Sequence, residues 1–63
     1  MKFDVVAVDL KTHAVRLMAN DITESNAQAV IKMAVIRRGV ENEFFVEAPV
    51  GKYKDGDAWI ESE

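Results

Sequence analysis

The chain has 63 residues, of which 49% are hydrophobic and 30% are charged, and its formal net charge is −3 at pH 7. This length supports a single domain, residues 1–63, which hides only about 60% of the surface of its unfolded chain. The composition is typical of globular domains and unlike that of disordered sequences. The net charge is too small for a nucleic-acid mimic and opposite in sign to that of a typical nucleic-acid-binding protein.

The sequence contains no cysteine, which excludes disulfides and thiolate metal sites. Small secreted domains usually depend on such cross-links, so we expect a cytoplasmic protein. Asp9 and Lys32 interrupt the longest apolar stretches, and no apolar segment as long as the core of a signal peptide follows Met1. We therefore expect neither a signal peptide nor a membrane-spanning segment.

The first part of the chain predicts a β-hairpin. Residues 3–10 are mostly β-branched or apolar, with an uninterrupted run over 5–8, which predicts a strand that is central in its sheet or covered on both faces. After a polar break at 9–13, Val15 and Leu17 alternate with Arg16 and predict the second strand.

A helix is predicted over 24–38. Thr23 is a suitable N-cap, although Asp21 with Glu24 offers a competing capping-box register. Arg37 and Arg38 lie in the last turn, and Gly39 supplies a residue that tolerates positive φ just beyond it.

The remainder of the chain predicts a third strand and a turn. The alternation over 43–48 predicts a strand with Phe44, Val46 and Ala48 inward, whereas Phe45 would face outward. Pro49 ends this strand, and Asp55-Gly56 predicts a turn between two aromatic residues. Residues 58–60 allow a fourth strand. The fold class is therefore α+β: a two-layer β-β-α-β(-β) domain, with a small antiparallel sheet and one helix on one face.

The helix is apolar around most of its circumference. At 100° per residue, Ala27, Val30, Ile31 and Ala34 form the face that should pack on the sheet. A second apolar group lies outside that face. Together with outward Phe45, its members are the candidate partner-binding residues: Ala29, Met33, Ile36 and Phe45.

Two interpretations of this excess apolar surface stay open. In one, the fourth strand and the tail from Pro49 cover an apolar patch. Trp59 is then a lid on the core, and the alternative role for it is an exposed anchor for a partner. In the other, the excess binds a protein partner, and a second copy of the chain is the simplest such partner. An edge strand that accepts a strand of another chain is a further means of association.

The sequence predicts no catalytic site, metal site or cofactor. His13 stands alone beside a turn, and no nucleophile with a positioned base can be assembled from the chain. Asp55 and Asp57 lack the other acids of a calcium loop and are better explained by a turn.

A basic and aromatic surface is the alternative candidate, because cations contact phosphates and aromatic rings stack on bases. Arginines at a helix C-terminus also stabilise the helix dipole, which explains them without a ligand. The residues of this nucleic-acid alternative are Lys32, Arg37, Arg38, Lys52, Tyr53 and Lys54.

The short chain, its ββα beginning and the closing stretch Tyr53-Lys54-Asp55-Gly56-Asp57-Ala58-Trp59 together resemble small accessory proteins of tailed phages and prophages. Such proteins share no single activity, so the resemblance assigns no functional residue. It implies a protein that acts by binding one host or phage protein. Non-enzymatic protein binding is accordingly the predicted function.

Overall fold

The computed structural model describes residues 1–60. It contains β1 (Lys2–Asp9), β2 (Val15–Thr23), α1 (Glu24–Arg38) and β3 (Glu43–Pro49) in chain order. The three strands form one antiparallel sheet in the order β2-β1-β3, and α1 packs on it. The predicted α+β fold is confirmed.

Strand β1 is the central strand, as its apolar composition predicts. Val5, Val6 and Val8 are completely buried, and Ala7 is nearly so. A strand buried on both faces needs cover on both sides of its sheet. The two covers come from different parts of the chain.

The helix covers one side of the sheet, called here the helix side. Ala7 is paired with Arg16 of β2 and Phe45 of β3, so these three side chains share a side. Arg38 of α1 donates a hydrogen bond from Nε to Glu43 Oε1 at 2.6 Å, and Glu43 lies on the same side as Phe45.

Residues 50–60, the tail segment, cover the opposite side, called here the tail side. There Val6 and Val8 form a cluster with Val15, Ala48 and Tyr53, against which further apolar side chains pack. The members of that second set are Leu17, Phe44, Val46 and Trp59.

The aromatic residues on either side of the predicted Asp55-Gly56 turn do come together. The rings of Tyr53 and Trp59 stack with centroids 5.3 Å apart, and Trp59 also meets Phe44 edge to face at 5.5 Å. Trp59 therefore acts as the predicted lid on the core. The weak fourth strand over 58–60 is reduced to one bridge between Ala14 and Ala58.

The predicted orientation of β3 needs correction. Phe44, Val46 and Ala48 do point into a core, but this core lies under the tail segment rather than under the helix. Phe45 does not face outward, since it is half-buried on the helix side. The reason is that the tail segment adds a third layer, so both sides of β3 are covered.

A buried carboxylate joins three parts of the fold. Asp4 is 1% exposed and lies within β1. Its Oδ1 accepts hydrogen bonds from Asn20 Nδ2 at 2.9 Å and the Asp21 amide at 2.8 Å, and its Oδ2 accepts one from the Gly51 amide at 3.0 Å. Asp4 thereby fixes an irregular part of β2, where Asp21 has a φ of 54°, to the turn after β3.

Candidate protein-binding site

The caps that the sequence predicts are present at both ends of α1. Thr23 Oγ1 accepts a hydrogen bond from the Asn26 amide at 3.3 Å, so Thr23 is the N-cap. At the other end the Gly39 amide donates to the Val35 carbonyl at 2.9 Å, and Gly39 has a φ of 73°. These caps fix where α1 begins and where it ends.

The sheet-facing side of α1 carries small residues. Ala27 and Ala34 are buried, while Val30 and Ile31 are half-buried beside them. Alanine lets the helix backbone approach the sheet closely. All four residues belong to the face predicted to pack on the sheet, so that prediction is confirmed.

The opposite side of α1 is exposed and apolar. Ala29, Met33 and Ile36 are spaced by four and three residues and so lie on one stripe, called here the outer helix surface. Met33 is 47% exposed and Ile36 is 68% exposed. The tail segment covers the other side of the sheet, so it does not shelter this stripe.

A groove runs from the outer helix surface toward β2. Its volume is about 360 Å³, and Met18 of β2 lines it together with Val30 and Met33 of the helix. Irregular pairing between Leu17 and Ala19 places Met18 on the helix side. Two methionines give the groove an adaptable lining, because the unbranched thioether side chain fits differently shaped apolar groups.

The border of the groove is basic. Arg37 and Arg38 line it, and Lys32 precedes Met33 on the exposed part of the helix. The ion pairs within residues 1–60 join Glu43 to Arg38 at 2.6 Å and to Arg16 at 3.5 Å. Lys32 and Arg37 lie beside the apolar stripe, and neither forms an ion pair with a carboxylate of residues 1–60. The surface beside the stripe is therefore positively charged.

The structure brings together three of the four candidate partner-binding residues. Ala29, Met33 and Ile36 share the outer helix surface, whereas Phe45 lies on the sheet beneath the helix. Sequence reasoning did not find Met18, the residue that turns a convex helix face into a groove. The regular alternation of apolar and polar residues over 15–17 gave no indication that the pairing of β2 becomes irregular at Met18.

The residues of the nucleic-acid alternative are divided between the two sides of the sheet. Arg37 and Arg38 lie on the helix, whereas Lys52 and Tyr53 belong to the tail segment. Tyr53 is buried against Trp59, and its hydroxyl donates to the Ile60 carbonyl at 3.3 Å. Its ring therefore has no open face on which a base could stack.

A polar cavity of about 460 Å³ lies near the C-terminal end of the helix, lined by Asp9, Arg16, Arg38, Asn42 and Glu43. Hydrogen bonds from the Thr12 and Lys11 amides hold the pKa of Asp9 below its ordinary value. Both arginines are engaged with Glu43, so the charges in this cavity are largely compensated.

His13 is exposed in the β1–β2 turn with a φ of 61°. Within residues 1–60, no group of three or more histidine, aspartate or glutamate side chains could hold a metal ion. No helix in this part of the chain is long and apolar enough to cross a membrane.

No protein-family model, curated protein or solved structure matches the chain.

Proposed function

We propose that this protein is a non-enzymatic accessory protein that binds a partner protein through the outer helix surface and the adjoining groove. The observation that carries the proposal is the exposure of Met33 and Ile36, 47% and 68%, on a helix whose other side already packs on the sheet. A small domain gains no stability from apolar side chains left in water.

The size of the exposed apolar surface suits a modest interface. Complete burial of one methionine or isoleucine side chain contributes about 1.5–3 kcal/mol. Met33 and Ile36 are partly exposed, and Met18 and Val30 add the wall of the groove. Association must also offset the loss of translational and rotational freedom, so the partner needs polar contacts as well.

The positive border favours an acidic partner over a second copy at this surface. If two parallel copies of α1 meet with Met33 and Ile36 in contact, Lys32 of one copy approaches Arg37 of the other. If the two copies are antiparallel, Lys32 lies on the same side as the other Lys32, and Arg37 on the same side as the other Arg37. Like charges at such positions oppose pairing. An amphipathic helix with acidic residues beside its apolar stripe complements both features of the site.

The test is a charge substitution on the apolar stripe, Met33→Asp with Ile36→Asp. Because both side chains are exposed, we expect a normal circular dichroism spectrum and a melting temperature close to that of the wild type. We expect partners captured from cell lysate by the immobilised wild-type protein to be lost with the double variant.

Val50→Asp is the matched control, since Val50 is 46% exposed and lies in the tail segment. We expect this control to keep the captured proteins. Capture that is equal for the wild type, the double variant and the control would contradict the proposal. Unfolding of the double variant would place Met33 and Ile36 in the core and would also contradict it.

Nucleic-acid binding through Arg37 and Arg38 is the competing prediction. Fluorescence titration with a labelled oligonucleotide at two salt concentrations tests it, since phosphate contacts weaken steeply as salt rises. Binding that falls steeply with salt would favour this alternative, and no binding at low salt would remove it. We further propose that the protein acts in the cytoplasm and, from its resemblance, in a phage or prophage setting.

A further inference from the structure

At one edge of the sheet, the tail segment already forms hydrogen bonds with the outward-pointing backbone groups of the strand. At the β2 edge, the Val15 amide donates to the Asp57 carbonyl and the Gly56 amide donates to the Val15 carbonyl, both at 2.8 Å. The Leu17 amide donates to Asp55 Oδ1 at 2.5 Å. Beyond this point the pairing of β2 is irregular, which also prevents a further strand from adding there.

The β3 edge has none of these protections within residues 1–60. Its pairing with β1 is one-to-one from Phe3–Pro49 to Asp9–Glu43, without a bulge. Strand β3 contains no lysine, and its proline stands at its last position. A regular, largely apolar edge of this kind readily accepts another strand.

The direction of the backbone groups on β3 follows from the ladder. The Leu10 amide donates to the Asn42 carbonyl at 2.9 Å, which continues the β1–β3 pairing by one residue. Because hydrogen-bonded and non-hydrogen-bonded pairs alternate in an antiparallel ladder, Phe44 and Val46 bond toward β1. The amides and carbonyls of Phe45 and Glu47 consequently point away from the sheet.

We infer that β3 pairs antiparallel with β3 of a second copy of this chain, with Val46 on the two-fold axis, to give a continuous six-stranded sheet. In this register Phe45 of each copy exchanges two backbone hydrogen bonds with Glu47 of the other. The inference concerns the sheet edge and is independent of the proposed function of the outer helix surface.

Charge selects this register over its neighbours. Opposed residues must lie on the same side of the sheet, so the registers differ in steps of two residues. Centring the pair on Phe45 places Glu43 opposite Glu47 of the other copy, and centring it on Glu47 places two copies of Glu47 together. Centring it on Val46 places Glu47 opposite Phe45 and Glu43 opposite Pro49.

Burial of apolar surface supports the same pairing. Phe44, Phe45 and Val46 are each only half-buried, although the helix and the tail segment cover the two sides of the sheet. Central strand β1 is completely buried between the same two layers at Val5, Val6 and Val8. A strand added beyond β3 would give β3 the surroundings that β1 already has.

Cysteine cross-linking tests both the dimer and its register, because the chain has no native cysteine. The variant is Val46→Cys, which places the two thiols directly opposite each other in a non-hydrogen-bonded pair, within reach of a disulfide. Phe44→Cys is the matched control on the same side of the same strand. Its two thiols would lie roughly 13 Å apart, four residues along the strands, and could not join.

Light scattering at rising protein concentration is measured alongside. We expect the wild type to reach twice the monomer mass and Val46→Cys to become a covalent dimer when oxidised with oxidised glutathione, while Phe44→Cys stays uncross-linked. Glu47→Pro removes an amide hydrogen that points away from β1, so we expect a folded protein of monomer mass. Met33→Asp with Ile36→Asp should leave the dimer mass unchanged.

A wild type that keeps the monomer mass at millimolar concentration would overturn the inference. So would cross-linking of Val46→Cys no greater than that of Phe44→Cys. If Glu47→Pro fails to fold, the paired cysteine variants still decide the outcome. Cross-linking of Phe45→Cys or Glu47→Cys in place of Val46→Cys would refute the proposed register.

Discussion

Asp4 shows how one residue can join distant parts of a small fold. Both of its carboxylate oxygens accept hydrogen bonds, from Asn20 and Asp21 in β2 and from Gly51 in the tail segment. The ion pairs within residues 1–60 all involve Glu43, so amide groups rather than a cation stabilise this buried charge. Hydrogen bonds to a charged acceptor are stronger than those between neutral groups.

We predict that Asp4→Asn destabilises the protein by about 1–3 kcal/mol, the cost of leaving a buried polar group unpaired. The side-chain amide of asparagine must point its NH2 group at amides that already donate, whichever way it is turned. Urea unfolding followed by circular dichroism measures the change. Asp21→Asn is the matched control, because Asp21 is exposed and asparagine tolerates its positive φ. Equal stability of the two variants would contradict the role of Asp4.

The sequence did not predict the role of Asp4. An aspartate beside four apolar residues in a strand suggests only a polar strand end. Its three donors come from residues 20, 21 and 51, and their approach depends on the irregular pairing of β2 and on the path of the tail segment. Neither of these is set by local preferences, so no pattern around Asp4 could have predicted them.

The helix is the element that the sequence predicted best. Its bounds, Glu24–Arg38, and its Thr23 cap agree with the prediction, because capping and the spacing of apolar residues act over only a few positions. The alternative register from Asp21 does not form, since the Asp21 amide is held by Asp4.

We predict that Thr23→Ala lowers the free energy of unfolding by about 1 kcal/mol, because the Asn26 amide loses its acceptor. Thr23→Ser should keep most of that stability, since serine also supplies a hydroxyl oxygen. Thermal and urea unfolding measure both variants. The control Ser25→Ala changes an exposed helix position and should shift stability by less than about 0.5 kcal/mol. A Thr23→Ala variant as stable as this control would show that the cap is dispensable.

The side of the sheet that each strand residue faces was harder to predict. Alternation placed Phe44 and Val46 on one side and Phe45 on the other, and the structure agrees with that division. It could not show which side the helix covers, because both sides carry apolar residues. The packing of Tyr53 and Trp59 decides which side is left for the helix. These residues contact Val6 and Phe44, which are far from them in the sequence, so local patterns cannot predict the packing.

At the scale of the whole molecule, the protein is a helix, a sheet and a covering tail segment. A chain of 63 residues has a total stability of only about 3–9 kcal/mol. The tail segment supplies both Tyr53 and Trp59 to the tail-side cluster. We therefore expect residues outside the regular elements to contribute a large share of the stability.

We predict that Trp59→Ala costs about 3 kcal/mol or more, as large aromatic truncations in cores do, and so removes much of the total. Urea unfolding followed by far-ultraviolet circular dichroism measures the loss, because the variant lacks tryptophan fluorescence. Ile60→Ala is the control, since Ile60 is adjacent and 68% exposed, and we expect almost no change in its stability. Similar midpoints for both variants would mean that the tail segment does not stabilise the sheet.

The stacking of Tyr53 on Trp59 also gives the protein an internal optical probe. The chain has one tyrosine and one tryptophan, and their rings lie 5.3 Å apart in the layer over the sheet. Excitation energy passes efficiently from tyrosine to tryptophan over so short a separation. The emission of the unlabelled wild-type protein should therefore change when this layer detaches, and the rate of that detachment can be followed separately from the melting of the helix.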